Sequence, residues 1–405
     1  MAFIVTDLVE CLTDSASMGM NLLATLTVVY GARHAASAST ALHDHGSATS
    51  TRPGSDGSTR GGSHDADGNS IGSSGGGSGA ASWIQAVALP VFGSFVLLAY
   101  RYFFRYFEMF LMIGLTIMAG SSFFSVAHPP FRWIERRCFG SHHTHGSLLS
   151  FVGTFVATVF VVARWLTTAH WAYTDALAMS TAVALIDSVR LPSARSATFL
   201  LVGFLLYDAF WVLILPFFVH DNVMADVAWQ HATNPLSWLL HTTGFRLNLP
   251  PVSVPITLHV PSVELTHATA VLGLADIVLP ALFAVYCLRC DAVLSRLHPP
   301  SPGPAPAAAS RAIRARVYHL WHRLFPRAIV GYAAGLFAAM YASALFRAAQ
   351  PVLLFVVPPM VLLPAMLARN QGQWGVFWNG ALLHLALLHD SATLTDVTFN
   401  LSSQK

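Results

Sequence analysis

The chain has 405 residues, of which 54% are hydrophobic and only 10% charged, and its mean hydropathy of +0.56 excludes an ordinary soluble protein. Its 22 basic and 19 acidic residues nearly cancel, and the bases are spread over many short segments without forming a basic face, which argues against nucleic-acid binding. Four cysteines, Cys11, Cys138, Cys287 and Cys290, are too few and too scattered for a disulfide framework.

A membrane-crossing helix needs about 20 mostly apolar residues. Asp7 and Glu10 stand where a secretory signal would carry Lys or Arg, so the first apolar segment, 15–32, is expected to be retained, and residues 1–36 read as a lumenal N-terminus with the first span. Residues 37–82 are Ser, Gly, His and Asp with almost no aliphatics, a composition that predicts a disordered cytosolic linker. Between 83 and 190 come four expected spans: 83–100, 109–127, 146–163 and a weaker 170–186 that carries Asp175. The region 191–291 holds two more, 197–219 and 268–288, each apolar apart from one carboxylate, joined by a polar, Pro-interrupted lumenal loop over 220–262. A Pro- and Arg-rich cytosolic loop, 292–327, is expected to lie near anionic lipid headgroups. Spans 328–346 and 351–367 follow, and 368–405 forms a cytosolic tail in which the apolar stretch 374–388 is not counted. The fold class is therefore all-α, a polytopic membrane protein of about nine helices.

Positive residues are retained on the cytosolic side of a membrane. With the N-terminus lumenal and the C-terminus cytosolic, nine spans place 17 Lys and Arg in the cytosol and five outside (Arg101, Arg105, Arg164, Arg246 and Arg347). No internal repeat and no matched pair of interrupted helices suggests a transporter.

Asp208 is twelfth in its 23-residue span and Asp276 ninth in its 21-residue span, so both are expected near mid-membrane. A carboxylate there costs on the order of 2.5 to 3.5 kcal/mol on insertion scales. One such residue is as readily a protonated acid hydrogen-bonded to a neighbouring helix; two at similar depth on consecutive helices are harder to assign that way. Two carboxyls at about 3 Å cannot both ionise, so they share a proton, which is the chemistry of an aspartic protease. A proton or cation relay is the rival use.

The flanking strings favour proteolysis. Around the first carboxylate the chain reads Gly203, Phe204, Leu205, Leu206, Tyr207, Asp208, Ala209, Phe210, Trp211, Val212; around the second, Leu272, Gly273, Leu274, Ala275, Asp276, Ile277, Val278; and the last span opens with Gln350, Pro351, Val352, Leu353. In content and order these resemble the YD, GxGD and PAL motifs of the signal peptide peptidase family, the presenilin-like intramembrane aspartyl proteases. Leu191, Pro192, His170, Trp171, Arg289 and Asp291 also fall where that family has similar residues, and the resemblance covers roughly 165–291 and 328–367. It implies that Asp208 and Asp276 are the catalytic pair, and that Pro351, Val352 and Leu353, with Tyr207, Gly273, Leu274 and Ala275, border the substrate. It implies an endoplasmic-reticulum protease that cuts signal peptides left by signal peptidase and other membrane helices, with no cofactor and with homo-oligomerisation left open. Two departures stand out: Ala275 replaces the glycine beside the aspartate and Val352 replaces the alanine of PAL. Each narrows the space at the site, so the alternative is a slowed or inactive homologue that binds membrane helices.

Pro280, four residues after Asp276, is expected to weaken the helix near the catalytic turn. Cys287 and Cys290 read as juxtamembrane thiols open to palmitoylation, more readily than as a metal or redox pair. The cluster His142, His143, His145 lacks carboxylate or thiol partners, and no metal is assigned. Asp175 is left without a role, and the sequon at Asn400 falls in the cytosolic tail.

Overall fold

The computed structural model describes residues 15–48, 78–139, 146–215, 218, 231–232, 234–243, 249–261, 269–297, 322–346, 348 and 350–380. Long helices dominate: α1 (Ser15–Ala48), α2 (Ser78–Phe139), α3 (Gly146–Thr168), α4 (Trp171–Ser188), α5 (Ala194–Ala209), α7 (Ala275–Leu297), α8 (Leu324–Phe346) and α9 (Val352–Asn370), with short α6 (Pro235–Thr242) and α10 (Trp374–Asn379). Six of them contain segments long and apolar enough to cross a membrane: Met109–Cys138, Leu148–Thr168, Ala194–Ile214, Ala275–Ser295, Leu324–Phe346 and Val352–Asn370. The chain is a polytopic helical membrane protein.

The course of the helices departs from the sequence reading at three places. The stretches 83–100 and 109–127 are not two spans, because α2 runs unbroken through both. The bases Arg101 and Arg105 were expected to mark a loop, but 101–108 contains no Gly or Pro, and charge alone does not break the i→i−4 ladder. At about 1.5 Å per residue, 62 residues extend roughly 93 Å, several times a hydrocarbon core of about 30 Å, and within α2 only Met109–Cys138 qualifies as a crossing. Secondly, the expected linker 37–82 is shortened at both ends, since α1 continues to Ala48 and α2 begins at Ser78; residues 49–77 lie outside the described residues. Thirdly, the segment expected to open the seventh span as helix is a strand.

That strand is β4 (Thr269–Gly273), antiparallel to β3 (Thr257–Pro261), with Leu258 opposite Leu272 and Thr257 opposite Gly273. A second small pairing joins β1 (His231–Ala232) to β2 (Val252–Ser253). Thr269 and Val271 are β-branched residues at alternate positions, which suits a pleated surface better than a helix. The hairpin packs against α1 and α4.

The core lies where α1, α4, α5, α7, α8 and α9 meet. On α1, Met20, Ala24, Val28 and Ala32 recur every fourth residue and are fully buried, facing α4 and α7; Ala178, Ala182 and Ile186 form the matching stripe on α4. On α7 every residue from Ala281 to Cys287 is buried. Cys287 and Cys290 are therefore core residues, 0% and 1% exposed, and not the accessible juxtamembrane thiols that palmitoylation would need.

Helices α8 and α9 make the closest helix–helix contact in the site's support. Gly331 and Gly335, four residues apart, meet the backbone of Met360 and Val356 respectively, a pairing that makes the two helices antiparallel. A Cβ on Gly335 would stand 2.5 Å from the Val356 Cα and 2.6 Å from the Phe355 carbonyl oxygen, so the spacing exists only because both positions lack a side chain.

Candidate active site

Asp208 lies near the C-terminal end of α5, buried, immediately before a π-helical turn over Phe210–Ile214 in which Leu215 N–H donates to the Phe210 carbonyl at 2.9 Å. The turn seats Trp211 in the interior, where its Nε1 donates to Ser94 Oγ of α2 at 3.2 Å. The Tyr207 ring packs beside Trp211, at 6.2 Å between centroids, and against Gly93 of α2. Tyr207 thus adjoins Asp208 in sequence and feels its charge while its ring braces α5 on α2.

Asp276 occupies the first turn of α7, directly after β4. A carboxylate is favoured there by the helix dipole and by backbone amides that have no helical partner. Its carboxylate accepts the Gly273 N–H. The reversal from strand to helix is held by Leu274 N–H donating to the Ile256 carbonyl at 2.9 Å, while the Leu274 carbonyl accepts from Ile277 and Val278. A Cβ on Gly273 would sit 3.3 Å from Asp276 Oδ2, so a side chain at 273 would press on the carboxylate. From α8, the Tyr332 hydroxyl donates to the Asp276 backbone carbonyl at 3.3 Å.

Helix α5 packs against α7, and the charge of Asp208 acts on Asp276 across that contact. Interactions along α5 and α7 fix their opposed direction: the charge of Asp208, near the end of α5, acts on Asp276 at the start of α7, and the Tyr286 hydroxyl, further along α7, accepts the Ala194 N–H at the start of α5. The third string joins them at the start of α9. Pro351 caps α9 with φ −68°, and two residues on the buried Leu353 donates its backbone N–H to Asp208 Oδ2 at 3.3 Å. Pro351 is buried and Val352 half-buried beside it.

The structure thus gathers Asp208, Asp276, Gly273 and Pro351–Leu353, which lie far apart in sequence. Leu274 serves the strand-to-helix reversal, and Ala275 is exposed, its methyl turned to open space and not wedged between helices. His170, singled out only by resemblance, caps α4 by accepting the Ala172 N–H on its Nδ1 at 3.2 Å. Asp291 caps α8 from α7, its two oxygens accepting Leu324 N–H at 2.8 Å and Phe325 N–H at 2.9 Å. One supporting residue, Tyr332, escaped the sequence reading, its signal being only a phenol between two glycines four apart; Asp175 was noted as an acid in a weak span and left without a role. His142, His143, His145, Cys11 and Asn400 lie outside the described residues.

A family model described as signal peptide peptidase matches residues 77–383. The chain belongs to the signal peptide peptidase family. Among its curated relatives, signal peptide peptidase-like 1 of Arabidopsis thaliana is 29% identical over 328 residues, covering 74% of this chain and 82% of that protein. Human signal peptide peptidase-like 2B is 29% identical over 214 residues, 52% of this chain and 31% of the longer human one. Intramembrane protease 2 of Caenorhabditis elegans is 28% identical over 216 residues, 52% of this chain and 38% of that protein. No solved structure matches the chain.

Proposed function

We propose that the protein is an intramembrane aspartic endopeptidase that hydrolyses peptide bonds within transmembrane segments, such as signal peptides left after signal peptidase cleavage. What supports this reading is that Asp208, with the Leu353 N–H on its Oδ2, sits on a helix packed against α7, whose first turn carries Asp276. One carboxylate takes a proton from water as the water oxygen attacks the substrate carbonyl carbon. The other, protonated, donates a hydrogen bond to the carbonyl oxygen and transfers its proton as the tetrahedral intermediate forms. Collapse of that intermediate breaks the C–N bond, the amine leaving with a proton from the dyad. The Leu353 N–H on Asp208 Oδ2 leaves Oδ1 of that residue for the shared proton or the water, so Leu353 orients the carboxyl. Tyr332, bonding only to the Asp276 backbone, is a positioning residue.

A membrane helix hides its carbonyls in its own hydrogen bonds, so the substrate must unwind before water reaches one. The edge of β4 turned away from β3 ends at Gly273, three residues before Asp276, and is suited to pair with the unwound strand. Ala275, exposed beside it, and Val352 shape the entrance, which fits altered selectivity better than loss of chemistry. The membrane orientation follows from charge: Arg190 and Arg195, around the α4–α5 connection, and the seven bases between Arg289 and Arg327 mark that end of the bundle as cytosolic. With this orientation, the endoplasmic reticulum is the compartment that supplies signal-peptide helices.

A helical reporter peptide incubated with the detergent-solubilised protein tests the reading. Asp208→Ala and Asp276→Ala are each expected to abolish cleavage while leaving the helical circular dichroism unchanged; residual cleavage by either folded variant at more than a percent or so of the parent rate refutes a two-carboxylate mechanism, whose loss costs on the order of four decades or more.

A further inference from the structure

Among the described residues Asp175 is the most buried acid, 2% exposed, and it lies on α4, remote in sequence from the dyad. Its Oδ1 accepts the backbone N–H of His259, in the middle of β3, at 2.8 Å, while Oδ2 is buried with no hydrogen-bond partner. In an antiparallel pair, opposed residues alternate between exchanging hydrogen bonds with each other and turning their backbone groups outward. Leu274 N–H donates to Ile256 O, so the 256–274 pair is of the hydrogen-bonded kind, and the register makes 258–272 and 260–270 the same. Thr257 and His259 therefore present their N–H groups, and Pro261 only its C=O, on the side of β3 away from β4. Asp175 takes the His259 N–H.

We propose that Asp175 pins the register of the β3–β4 hairpin by closing the outer edge of β3, so that a substrate strand is accepted only along β4 and is cut at one defined bond. The proposal rests on the protease reading. The physical case is geometric. A one-residue slip of β3 swaps its two edges and turns the His259 N–H toward β4, so the Asp175–His259 bond must break before the strand can move. It would also drive Leu258 and Leu272, 0% and 3% exposed, out of the core face. A slip taken up by β4 instead moves the start of α7 and Asp276 by about 3.3 Å, whereas a misplacement of about 1 Å costs on the order of a hundredfold in rate. The neighbouring residue reinforces the pin: Thr174 Oγ1 and Ser253 Oγ lie 3.3 Å apart, tying α4 to β2. The His259 ring is turned back on Thr257, with 2.7 Å between Nε2 and Oγ1, so the strand segment is held by its backbone and its side chains together. A buried acid at an edge strand also prevents that edge from pairing with another chain.

Two measurements test this on the full chain. Hydrogen–deuterium exchange of the 257–261 segment reads the pin itself, without any catalysis: Asp175→Ala is expected to speed exchange at His259 by about tenfold or more, and Asp175→Asn, which keeps the acceptor, to leave it near the parent rate. Mass spectrometry of the products from a helical peptide reads the consequence: Asp175→Ala is expected to spread cleavage over neighbouring bonds, and Asp175→Asn to retain the parent site. Should Asp175→Ala not fold, His259→Pro deletes the same N–H at an edge position where proline is tolerated, and the same spread is expected. Unchanged exchange in Asp175→Ala overturns the pin. Faster exchange with an unchanged product pattern, or a parent-like pattern in His259→Pro, overturns its role in setting the cut. A parent protein that cleaves nothing refutes the protease reading alone, and exchange still decides the pin.

Discussion

Gly335→Ala is a one-methyl substitution with a large expected consequence for the site. The new methyl would stand 2.5 Å from the Val356 Cα and 2.6 Å from the Phe355 carbonyl oxygen, both backbone atoms that no rotamer change can move aside. Carbon atoms settle at about 3.5 to 4.0 Å, so α9 must retreat from α8 by about 1 Å or more. Overpacking of this kind costs roughly 1 to 3 kcal/mol. The cost to the site is disproportionate, because Leu353 lies within one helical turn of Val356 and its N–H reaches Asp208 at 3.3 Å, near the limit for a hydrogen bond. A retreat of about 1 Å lengthens that contact to about 4 Å, beyond any hydrogen bond. A bond to a charged acceptor contributes about 1.5 to 3 kcal/mol, which corresponds to roughly 10- to 100-fold in reporter cleavage. The control is Gly114→Ala, where a Cβ meets nothing within 4 Å. Thermal unfolding in detergent and initial cleavage rates, measured on both variants, give the comparison. If Gly335→Ala unfolds and cleaves like Gly114→Ala, the α8–α9 contact does not hold Leu353 on the dyad and the reasoning fails.

Two further outcomes check the fold around the site. Asp291→Ala is expected to destabilise the protein by about 1 to 3 kcal/mol, because it strips the cap from two buried backbone N–H groups at the start of α8, whereas Asp291→Asn, retaining one acceptor, loses less; chemical denaturation of the pair decides it, and no loss in Asp291→Ala would show that the cap contributes nothing. In the folded protein an impermeant maleimide is expected to label Cys138, which is exposed, and to leave Cys287 and Cys290 unmodified until denaturant is added. Rapid labelling of either core cysteine would contradict the packing of α7.

The sequence by itself determined the class of the protein and singled out its two intramembrane acids as the candidate pair. Apolar lengths declare membrane helices because the bilayer imposes a thickness, and two acids inside such lengths stand out because hydrocarbon penalises them. The strings around Asp208, Asp276 and Pro351 are local, so they could be read in order without knowing what they touch. The tertiary structure decided what depends on partners distant along the chain. Whether 269–273 is helix or strand was set by pairing with 257–261, since an apolar run of that length suits either. The unbroken α2 was hidden because bases suggest a loop only where the backbone also has a reason to turn. Tyr332 and Asp175 act through backbone groups 56 and 84 residues away, and hydropathy, which scores each residue against solvent, carries no term for that. The approach of α8 to α9, which sets where Leu353 meets Asp208, depends on two absent side chains meeting a particular backbone, a match that exists only once both helices are in place.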